Sequence, residues 1–565
     1  MKKKWKPILM NEVVGAPLLS YDKIPPMAIK LLIQKGITTK EEAEDFLHPN
    51  IDKLHNPFLM KNMTQAVKRL EKAIRRKEKI LLYGDYDVDG TTSVALMSQF
   101  LDSIDFATDY YIPDRYKEGY GLSKKGIEYA RQQGCTLVIA MDCGIRAIDT
   151  TRLANDYGID LIICDHHLPE GKLPAAHAIL DPLQKDCPYP FKSLSGCGVT
   201  FKLVQAYCQK HRLPSDYWKN LLDLLVISIA ADIVPMTGEN RILAHFGLAL
   251  LNKTGRVGLR ELISVSGRSM PLNISDVVFG LAPLINAAGR MAKGSLSVSL
   301  LISDNEAEAK DIAKKLDYQN KTRREFEHRI TEEAKQLFLS GDDWKSRSSI
   351  VLFQPHWHKG VVGIVASRLV EEFHKPTIIL TESEGKIVGS ARSVKGFDIH
   401  QAIGHCDFCL INFGGHTHAA GLTLSHQNLE VFQDCFEGFV SANILPEQKT
   451  PVIEYNLELD FSDINEDLFD ILRQFAPYGP GNRNPVFVSK NVMDTGYSRV
   501  LKEKHLRLSL KQENPLRLSG IGFFMANHSK SVFNKKPFDI CYTLNENKWQ
   551  GKSDWQLMIK DMRFL

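Results

Sequence analysis

The chain has 565 residues, of which 44% are hydrophobic and 24% are charged, and it carries a net charge of +4 from 71 basic and 67 acidic side chains. This composition is typical of a soluble globular protein and excludes chain-wide disorder, a fibrous repeat and a membrane-spanning helix, since no apolar run reaches about 18 residues. At roughly 100–200 residues per domain, the length predicts three to five domains.

The N-terminal residues 1–6 are basic, but no apolar segment follows them, so we expect no signal peptide. The ten cysteines show no framework spacing, which favours a reducing compartment. These features predict a cytoplasmic protein without a membrane partner.

Five regions follow one another along the chain. Residues 1–61 form an N-terminal segment with short helical patterns. Residues 62–238 alternate apolar strand-like runs with amphipathic segments, which predicts a parallel sheet covered on both faces. Residues 239–345 are predicted to be helical and to include a long helix over 306–339. Residues 346–445 alternate strands and helices again, and residues 446–565 contain short strand-like runs typical of a β-domain.

Charge is uneven in the last region. From Ile471 to Leu565 there are 16 Lys and Arg residues against 7 Asp and Glu residues. Aromatic residues are interleaved with them: Tyr478, Phe487, Tyr497, Phe523 and Phe524. Cations for phosphates and rings for base stacking are what single-stranded nucleic acid binding requires, although a solvated basic surface over core aromatics explains the same pattern.

Carboxylates follow several predicted strands. Asp85, Asp87 and Asp89 alternate directly after the strand-like run 80–83, and Thr91–Leu101 is predicted to be a helix. Asp142 ends the next strand, and Asp232 follows the helical run 221–231. The triplet Asp165, His166 and His167 ends a further strand. Because ligands bind beyond the carboxyl ends of parallel strands, we expect these groups to meet at one edge of one sheet.

So many carboxylates would repel one another without a cation. Oxygen and imidazole ligands suit Mn²⁺ or Mg²⁺ better than structural Zn²⁺. Six or more ligands are too many for one ion with open positions, so two ions bridged by a shared carboxylate are predicted, an arrangement that serves phosphoryl transfer to water.

Other interpretations remain for single motifs. The D-x-D-x-D-G spacing resembles a calcium loop, but Leu96 stands where that loop needs Glu. Asp142 alone could be a turn or helix cap. Cys406 and Cys409 form an isolated pair without a second pair, so we interpret them as structural.

Read together, these motifs resemble the DHH phosphoesterase superfamily, which is named for the triplet found here at 165–167, and within it the single-stranded-DNA-specific exonucleases. The resemblance covers nearly the whole chain. It rests on ordered motifs at 83–90, 112–115, 119–122, 196–203, 230–235, 286–291, 389–393 and 414–421.

The resemblance implies two α/β domains, a DHH parallel sheet and a DHH-associated domain, joined by a long helix, with a C-terminal β-barrel (OB fold). It implies a metal-dependent 5′→3′ exodeoxyribonuclease of DNA repair and recombination that releases 5′-mononucleotides. Single-stranded DNA is the implied substrate, and a helicase and a single-strand-binding protein stay open as partners. Two α/β domains joined by a long helix can form a channel for one strand, and a chain with its own channel has no need to dimerise, so a monomer is predicted.

The resemblance also implies residue roles. One divalent ion, Mn²⁺ or Mg²⁺, would be held by Asp85, Asp87 and Asp142, and a second by Asp89, Asp142, His166 and Asp232. His167 would face the scissile phosphate, and Asp165 would orient the imidazoles.

Phosphate contacts are implied for a second set of residues. The set comprises Arg115, Arg290, Arg392, Ser393 and the Gly414-Gly415-His416 turn. A guanidinium offers a bidentate fork to phosphate, although a structural salt bridge explains any single arginine equally well. Glycine permits close backbone approach, and its amide can donate to an anion.

The chain departs from the family pattern at three places, none of which is a metal ligand. Asp181 precedes Pro182 where Asn is common, Leu284 stands where Arg is common, and 292–294 lacks a common Asp.

Two other function classes remain open. A DHH phosphodiesterase for short oligonucleotides or cyclic dinucleotides, or a manganese pyrophosphatase, shares the metal cluster but does not need the basic β-domain. A non-enzymatic relative would have lost metal ligands, whereas every ligand position is filled here.

Overall fold

The computed structural model describes residues 3–10, 18, 24–291, 293–341, 343–513, 516–549 and 552–564. Ala292, one of the departures noted above, lies outside the described residues, as do parts of the N-terminal segment 1–61. Among the described residues, no helix combines the length and the apolar character needed to cross a bilayer.

The first sheet contains five parallel strands in the order β3-β2-β4-β5-β6, with the bounds β2 Ile80–Gly84, β3 Asp109–Tyr111, β4 Leu137–Met141, β5 Asp160–Cys164 and β6 Ala178–Leu180. The chain runs outward from β2 to β3 and then returns to the other side of β2. This reversal leaves a crevice at the carboxyl ends of β2 and β4, where open α/β sheets bind ligands.

Helices cover both faces of this sheet, as the strand–helix alternation predicts. Met63–Arg76, Val88–Asp102 and Gly196–His211 contribute to the core on one face, and Lys124–Gln132 and Ile148–Asp156 contribute to the core on the other. The remaining helices up to residue 302 are Pro26–Gln34, Lys40–Leu47, Asp216–Lys219, Leu222–Ala231, Gly238–Leu251, Val257–Ser266, Ile274–Asp276, Ala282–Met291 and Ser295–Ile302, with a π-helical turn at Val277–Leu281. The core on one face of the sheet continues without a break from Met60 to Leu316. The predicted boundary between 238 and 239 therefore passes through one continuous core.

A 35-residue helix, Glu306–Ser340, connects two cores, as predicted. Near its start, Ala309, Ile312 and Leu316 pack into the first core. Near its end, Ile330 and Phe338 pack into a separate core with the helix Val362–Phe373. At 1.5 Å per residue the helix spans about 52 Å, which makes it a long strut between two α/β regions.

The second sheet has the order β10-β11-β9-β8-β7, with the bounds β7 Ile350–Phe353, β8 Thr377–Ser383, β9 Lys386–Arg392, β10 Leu410–His416 and β11 Ala419–Leu424. Only the β7–β8 pair is parallel. Its other helices are Ile399–Gly404 and Leu429–Asn443. The strand β10 lies at the edge of this sheet.

The third sheet contains β13 Leu457–Glu458, β14 Val486–Asp494, β15 Arg499–Leu501, β16 His505–Lys511, β17 Arg517–Gly522, β18 Phe538–Trp549 and β19 Lys552–Phe564. Pairings run β14-β18-β19-β17-β16 and return from β16 to β14, so five strands form a closed ring. This is the strand connectivity of an OB fold. The helices of this part are Glu466–Phe475 and Ser529–Phe533.

The N-terminal segment packs against the C-terminal part of the chain. The strand β1, Lys4–Pro7, pairs in parallel with β12, Val452–Tyr455. Leu31 and Leu32 share a core with Ile471 and Phe475. Short 3₁₀ turns occur at Ile51–Lys53, Pro57–Leu59, Asp407–Cys409, His426–Asn428, Pro446–Lys449, Phe461–Asp463 and Ala526–His528.

Candidate metal centre and phosphate cluster

Three neighbouring strands deliver functional side chains to one edge of the first sheet. Asp85 follows β2, Asp142 follows β4, and Asp165 follows β5. Because β2, β4 and β5 are adjacent and parallel, their carboxyl ends meet at the crevice described above. The predicted convergence of these residues is present in the structure.

Two acids of the first motif belong to a helix rather than to the loop before it. The helix begins at Val88, three residues earlier than predicted, and Asp87 is its N-cap, accepting a hydrogen bond from the Gly90 amide at 3.1 Å. Asp89 therefore lies in the first helical turn. A carboxylate is stabilised there by the helix dipole, which explains why the helix extends through the acidic motif.

Asp89 is held in place by a second helix. The amides of Gly196 and Cys197, at the start of the helix Gly196–His211, donate to its two oxygens at 2.7 and 2.8 Å, and the Ser228 hydroxyl donates at 2.6 Å. Gly196 also permits close packing, because a Cβ at this position would lie 2.6 Å from the Cβ of Asp142. The motif at 196–203 thus contributes to the geometry of the metal centre.

His166 occupies the middle of the cluster. Its Nε2 lies 3.2 Å from Asp142 Oδ1, and 3.7 Å from both Asp89 Oδ2 and Asp232 Oδ2. Its Nδ1 lies 3.1 Å from the Leu194 carbonyl oxygen. Since that carbonyl can only accept, Nδ1 carries a proton, and Nε2 is the nitrogen directed at the three carboxylates.

The ligand atoms form overlapping groups. In each group they lie within 4.8 Å of one another, and the groups are Asp85, Asp87 and Asp142; Asp89, His166 and Asp232; and Asp142, His166 and His167. The first two groups are joined through the Asp142–His166 contact. The structure thus brings together every residue for which we predicted metal ligation.

Burial and mutual repulsion raise the pKa values of these carboxyl groups. Burial, with Asp87 nearby, raises the pKa of Asp85 well above its usual value, and burial with Asp89 nearby does the same for Asp142. The pKa of Asp232 rises to about 8, again through burial and then Asp89. A cation would remove the repulsion and allow all of these groups to ionise.

The cluster fits two divalent ions. Both oxygens of Asp85 and the Nε2 of His166 are buried without a hydrogen-bond partner among the described residues. Buried polar atoms are costly unless they are paired, so these atoms require a ligand. Oxygen donors with one imidazole match Mn²⁺ or Mg²⁺.

Asp165 bonds the ring of His167 and the backbone amides of both histidines, whereas we predicted that it orients both imidazoles. Its Oδ1 accepts from the His166 amide at 2.8 Å, the His167 amide at 3.2 Å and His167 Nδ1 at 2.7 Å. Its Oδ2 accepts from the Ile145 amide at 2.9 Å. Burial alone would raise the pKa of Asp165, but these bonds, led by that from His167, lower it overall, so Asp165 acts as a charged acceptor.

Tyr120 belongs to the site although we predicted no role for it from the sequence. Its hydroxyl lies 2.9 Å from Nε2 of His167 and 3.4 Å from the Asp142 carbonyl oxygen. The flanking Gly119 and Gly121 have φ angles of 83° and 88°, a region that favours glycine. The tyrosine between two glycines was the signal that could have identified this residue.

Three arginines from separate regions converge beside the metal cluster. The Arg115 guanidinium lies 5.1 Å from the centre of the Tyr86 ring, between Asp85 and Asp87 in sequence. Burial lowers the pKa of Arg290 to about 10, and the nearby charges of Arg115 and Arg392 contribute. Burial and Arg115 likewise lower the pKa of Arg392.

These arginines bond to neutral groups. Arg290 donates to the Gly360 carbonyl at 2.9 Å, and Arg392 donates to the Ser390 hydroxyl at 2.9 Å and the Ala391 carbonyl at 2.7 Å. Within the described residues, none of the three arginines is paired with a carboxylate, so the salt-bridge interpretation does not apply. Repelling, partly buried cations that make no salt bridge can bind an anion such as phosphate.

The second sheet positions the remaining predicted phosphate contacts. Ser393 follows β9, and its hydroxyl donates to the Phe397 carbonyl at 2.7 Å. The prediction of a turn at Gly414-Gly415-His416 was wrong, because these residues end strand β10 and the reversal occurs at 417–418. Antiparallel pairing with β11 extends through the two glycines to His416, which lies opposite Ala419.

Two departures from the family pattern have local explanations. Asp181 accepts a hydrogen bond from the Leu183 amide at 2.7 Å and so caps its turn as an asparagine would. Leu284 is buried in the first core.

The interleaved aromatics of the C-terminal region divide into two groups. Phe487 is fully buried, and Tyr478 packs in the N-terminal core cluster. Tyr497, Phe523 and Phe524 are 73%, 51% and 76% exposed. Phe523 and Phe524 both contact the ring of His505, with centroids 5.2 and 4.8 Å apart.

Comparison with protein families matches three parts of the chain. The DHH family N-terminal domain matches residues 79–229, the DHHA1 domain matches 347–442, and the RecJ OB domain matches 455–561. The fold of two α/β parts, a long helix and an OB fold agrees with all three.

Similar proteins cover nearly the whole chain. The single-stranded-DNA-specific exonuclease RecJ of Bacillus subtilis (strain 168) is 36% identical over 95% of this chain and 68% of its own length. RecJ of Dickeya dadantii (strain 3937) is 33% identical over 96% of each.

Solved structures of RecJ from Thermus thermophilus are also similar to this chain. The complex with Mn²⁺ matches with a TM-score of 0.84 at 26% identity, over 99% of this chain and 79% of that one. The complex with Mg²⁺ matches with a TM-score of 0.78 at 25% identity, over 99% and 78%. With such similarity along its whole length, the chain belongs to the family of the single-stranded-DNA-specific exonuclease RecJ.

Proposed function

We propose that this protein is a single-stranded-DNA-specific 5′→3′ exonuclease that uses two divalent ions, Mn²⁺ or Mg²⁺, and serves DNA repair and recombination. The observation that carries the proposal is the position of the arginine cluster, Arg115, Arg290 and Arg392, beside the carboxylate–histidine cluster. One site holds cations and the other holds an anion, as cleavage of a phosphodiester requires. The 5′→3′ polarity and the release of 5′-mononucleotides rest on family membership.

Each group of residues has a distinct task. Asp85, Asp87 and Asp142 would hold one ion, and Asp89, Asp142, His166 and Asp232 the other. When bound, the ions supply stabilisation of phosphate charge and lower the pKa of the attacking water. Asp165 keeps the proton of His167 on Nδ1, so Nε2 faces the cleft as an electrostatic stabiliser or, when protonated, a proton donor.

The substrate is held by residues beside the metal cluster. Arg115, Arg290 and Arg392 bind phosphate oxygens, with Ser393 and the exposed end of β10 at 414–416 beside them. These residues contact the phosphates of the DNA strand and not its bases, which predicts little sequence specificity.

Bases further along the strand stack on the exposed rings of Tyr497, Phe523 and Phe524, and the surrounding basic residues contact the phosphates.

We divide the chain into 1–61, the DHH part 62–238, the connector 239–345, the DHH-associated part 346–445 and the OB part 446–565. It acts as a monomer and meets its strand after a helicase and beside a single-strand-binding protein.

Digestion of end-labelled DNA tests this function. Single-stranded and blunt duplex substrates, labelled at the 5′ or the 3′ end, are incubated with Mn²⁺, Mg²⁺ or a chelator. We expect the 5′ label to appear at once as mononucleotide, from single strands only and only with metal. Binding without cleavage would favour a non-enzymatic relative, and cleavage of only di- to tetranucleotides would favour a DHH phosphodiesterase.

A further inference from the structure

The second sheet's core contains a pair of thiols in direct contact. The sulfur atoms of Cys406 and Cys435 lie 2.7 Å apart, and the two residues are 29 positions apart in the chain. An S–S bond is about 0.7 Å shorter than this separation. All ten cysteines lie in the described part of the chain, and within it no other two sulfurs are hydrogen-bonded to each other.

The two cysteines differ in access. Cys406 is fully buried, directly before the 3₁₀ turn Asp407–Cys409, whereas Cys435 is half-buried on the helix Leu429–Asn443. Burial, with Cys435 alongside, raises the pKa of the Cys406 thiol. An external reagent therefore meets Cys435 first.

We propose that Cys406 and Cys435 form a reversible disulfide when the protein meets a small disulfide oxidant such as oxidised glutathione. The thiolate of Cys435 attacks one sulfur of the oxidant, forming a mixed disulfide and releasing one small thiol. The sulfur of Cys406 then attacks the sulfur of Cys435. This step forms the Cys406–Cys435 disulfide and releases a second small thiol, which takes up the proton of the Cys406 thiol. Two electrons pass from the protein to the oxidant, and the two cysteine protons leave with the two released thiols.

The bond would link the segment before strand β10 to the helix Leu429–Asn443, which packs in the core of the second sheet. Cys406 precedes strand β10, whose end holds Gly414, Gly415 and His416. Cys435 lies on a helix whose Phe432 and Phe436 are fully buried in the same core. A link between them closes a loop and restricts the unfolded chain, so oxidation is expected to raise the melting temperature.

Cys409 offers the competing pair. It is buried, and its Sγ lies 2.9 Å from the Cys406 carbonyl oxygen, directed at backbone rather than at Cys435. The convergent ligand groups of the described residues do not include these three cysteines, so a shared metal ion does not explain the pair. The 2.7 Å contact therefore selects Cys406 as the partner of Cys435.

Oxidation of the full-length protein tests the proposal independently of nuclease activity. The reduced protein is treated with oxidised glutathione and analysed by thiol counting and by mass spectrometry of non-reduced peptides. We expect a loss of two thiols and a linked Cys406–Cys435 peptide that dithiothreitol separates. Cys541→Ser, a buried thiol in the third sheet, serves as a control that keeps the link.

The variants distinguish the two steps. Cys406→Ser is expected to stop at a stable glutathione adduct on Cys435, and Cys435→Ser is expected to give neither adduct nor link at 406. An unresolved adduct on Cys435 of the unmodified sequence, a Cys409–Cys435 link, or no reaction at Cys435 would each overturn the proposal.

Discussion

The Nδ1 atom of His167 lies 2.7 Å from Oδ1 of Asp165, which also accepts both histidine amides. This buried carboxylate touches neither substrate nor metal in the proposed mechanism, yet it sets the direction of the His167 imidazole and holds the backbone of both histidines. It is a positioning residue. Its loss should therefore disturb the orientation of His167 and leave binding of the DNA strand unchanged.

For Asp165→Asn we expect kcat to fall about 10–100-fold with KM nearly unchanged, because the side-chain amide cannot accept all of these bonds. Steady-state digestion of single-stranded DNA measures both constants. Glu170→Gln, which removes a surface partner of Arg146, should leave both constants unaltered. A kcat for Asp165→Asn within twofold of the unmodified enzyme would contradict the positioning role.

Asp142→Ala should abolish cleavage and leave strand binding intact, because Asp142 belongs to the group with Asp85 and Asp87 and lies 3.2 Å from His166 of the other group, while the arginine cluster is untouched. Digestion with Mn²⁺ measures the first effect and fluorescence anisotropy the second. Asp149→Ala, at an exposed acid paired with Arg152, is the matched control. Near-normal turnover of Asp142→Ala would show that the bridging assignment is wrong.

The stability of the metal-free protein should fall as pH rises from about 4 to about 8. The pKa of Asp232 is 3.8 when unperturbed and about 8 in the fold, so over this range the folded state binds more protons than the unfolded state. Stability then decreases with pH. Mn²⁺ should reverse the trend, since it binds the ionised carboxylates.

Melting temperatures with chelator and with Mn²⁺, measured across this pH range, test that prediction. Asp232→Asn cannot ionise and should flatten the slope of the chelated protein. An equal slope in the two proteins would assign the pH dependence to other groups.

The double change Phe523→Ala and Phe524→Ala should weaken binding of long strands. Stacking of a base on an aromatic ring contributes about 1–3 kcal/mol, which corresponds to roughly a five- to hundredfold loss in affinity per ring. Anisotropy titrations with long and short oligonucleotides measure it, and only the long ones should respond. Tyr318→Ala, on the connecting helix and 72% exposed, should have no effect.

The pair Lys202 and Glu239 is fully buried, with its Nζ and Oε1 atoms 2.7 Å apart, and Tyr189 donates to the other carboxylate oxygen at 2.5 Å. Lys202→Met leaves the carboxylate without its cation, so we expect a loss of about 3–5 kcal/mol in the free energy of unfolding. Urea denaturation measures the loss. Adding Glu239→Gln should recover part of it, and no recovery would mean that lost packing causes the effect.

Much of the metal centre was predictable from the sequence. The apolar runs at 80–83, 136–140 and 161–164 are short and separated by amphipathic segments, which predicts parallel strands. Parallel strands place their carboxyl ends at one edge of the sheet, so Asp85, Asp142 and His166 were expected to lie close together. The long helix was also predictable, because Ala309, Ile312 and Leu316 have helical spacing and the charged stretch after them contains no glycine or proline.

Other parts depended on the tertiary structure. Asp89 is held by amides more than 100 positions later in the chain, and the arginine cluster joins Arg115, Arg290 and Arg392 from three regions. Local patterns carry no information on such distances, because each contact depends on the path of the whole chain. For the same reason Gly414–His416, glycine-rich and turn-like in isolation, is a strand once β11 pairs with it.

The sequence by itself indicated most of the elements, the order of the regions and the candidate ligands, because periodicity and strand ends are local properties. Only the tertiary structure decided which side chains orient those ligands, as Tyr120 and Ser228 do, and which thiols touch. Those contacts form only when separate elements pack against one another, and the resulting distances cannot be read from the spacing of residues along the chain.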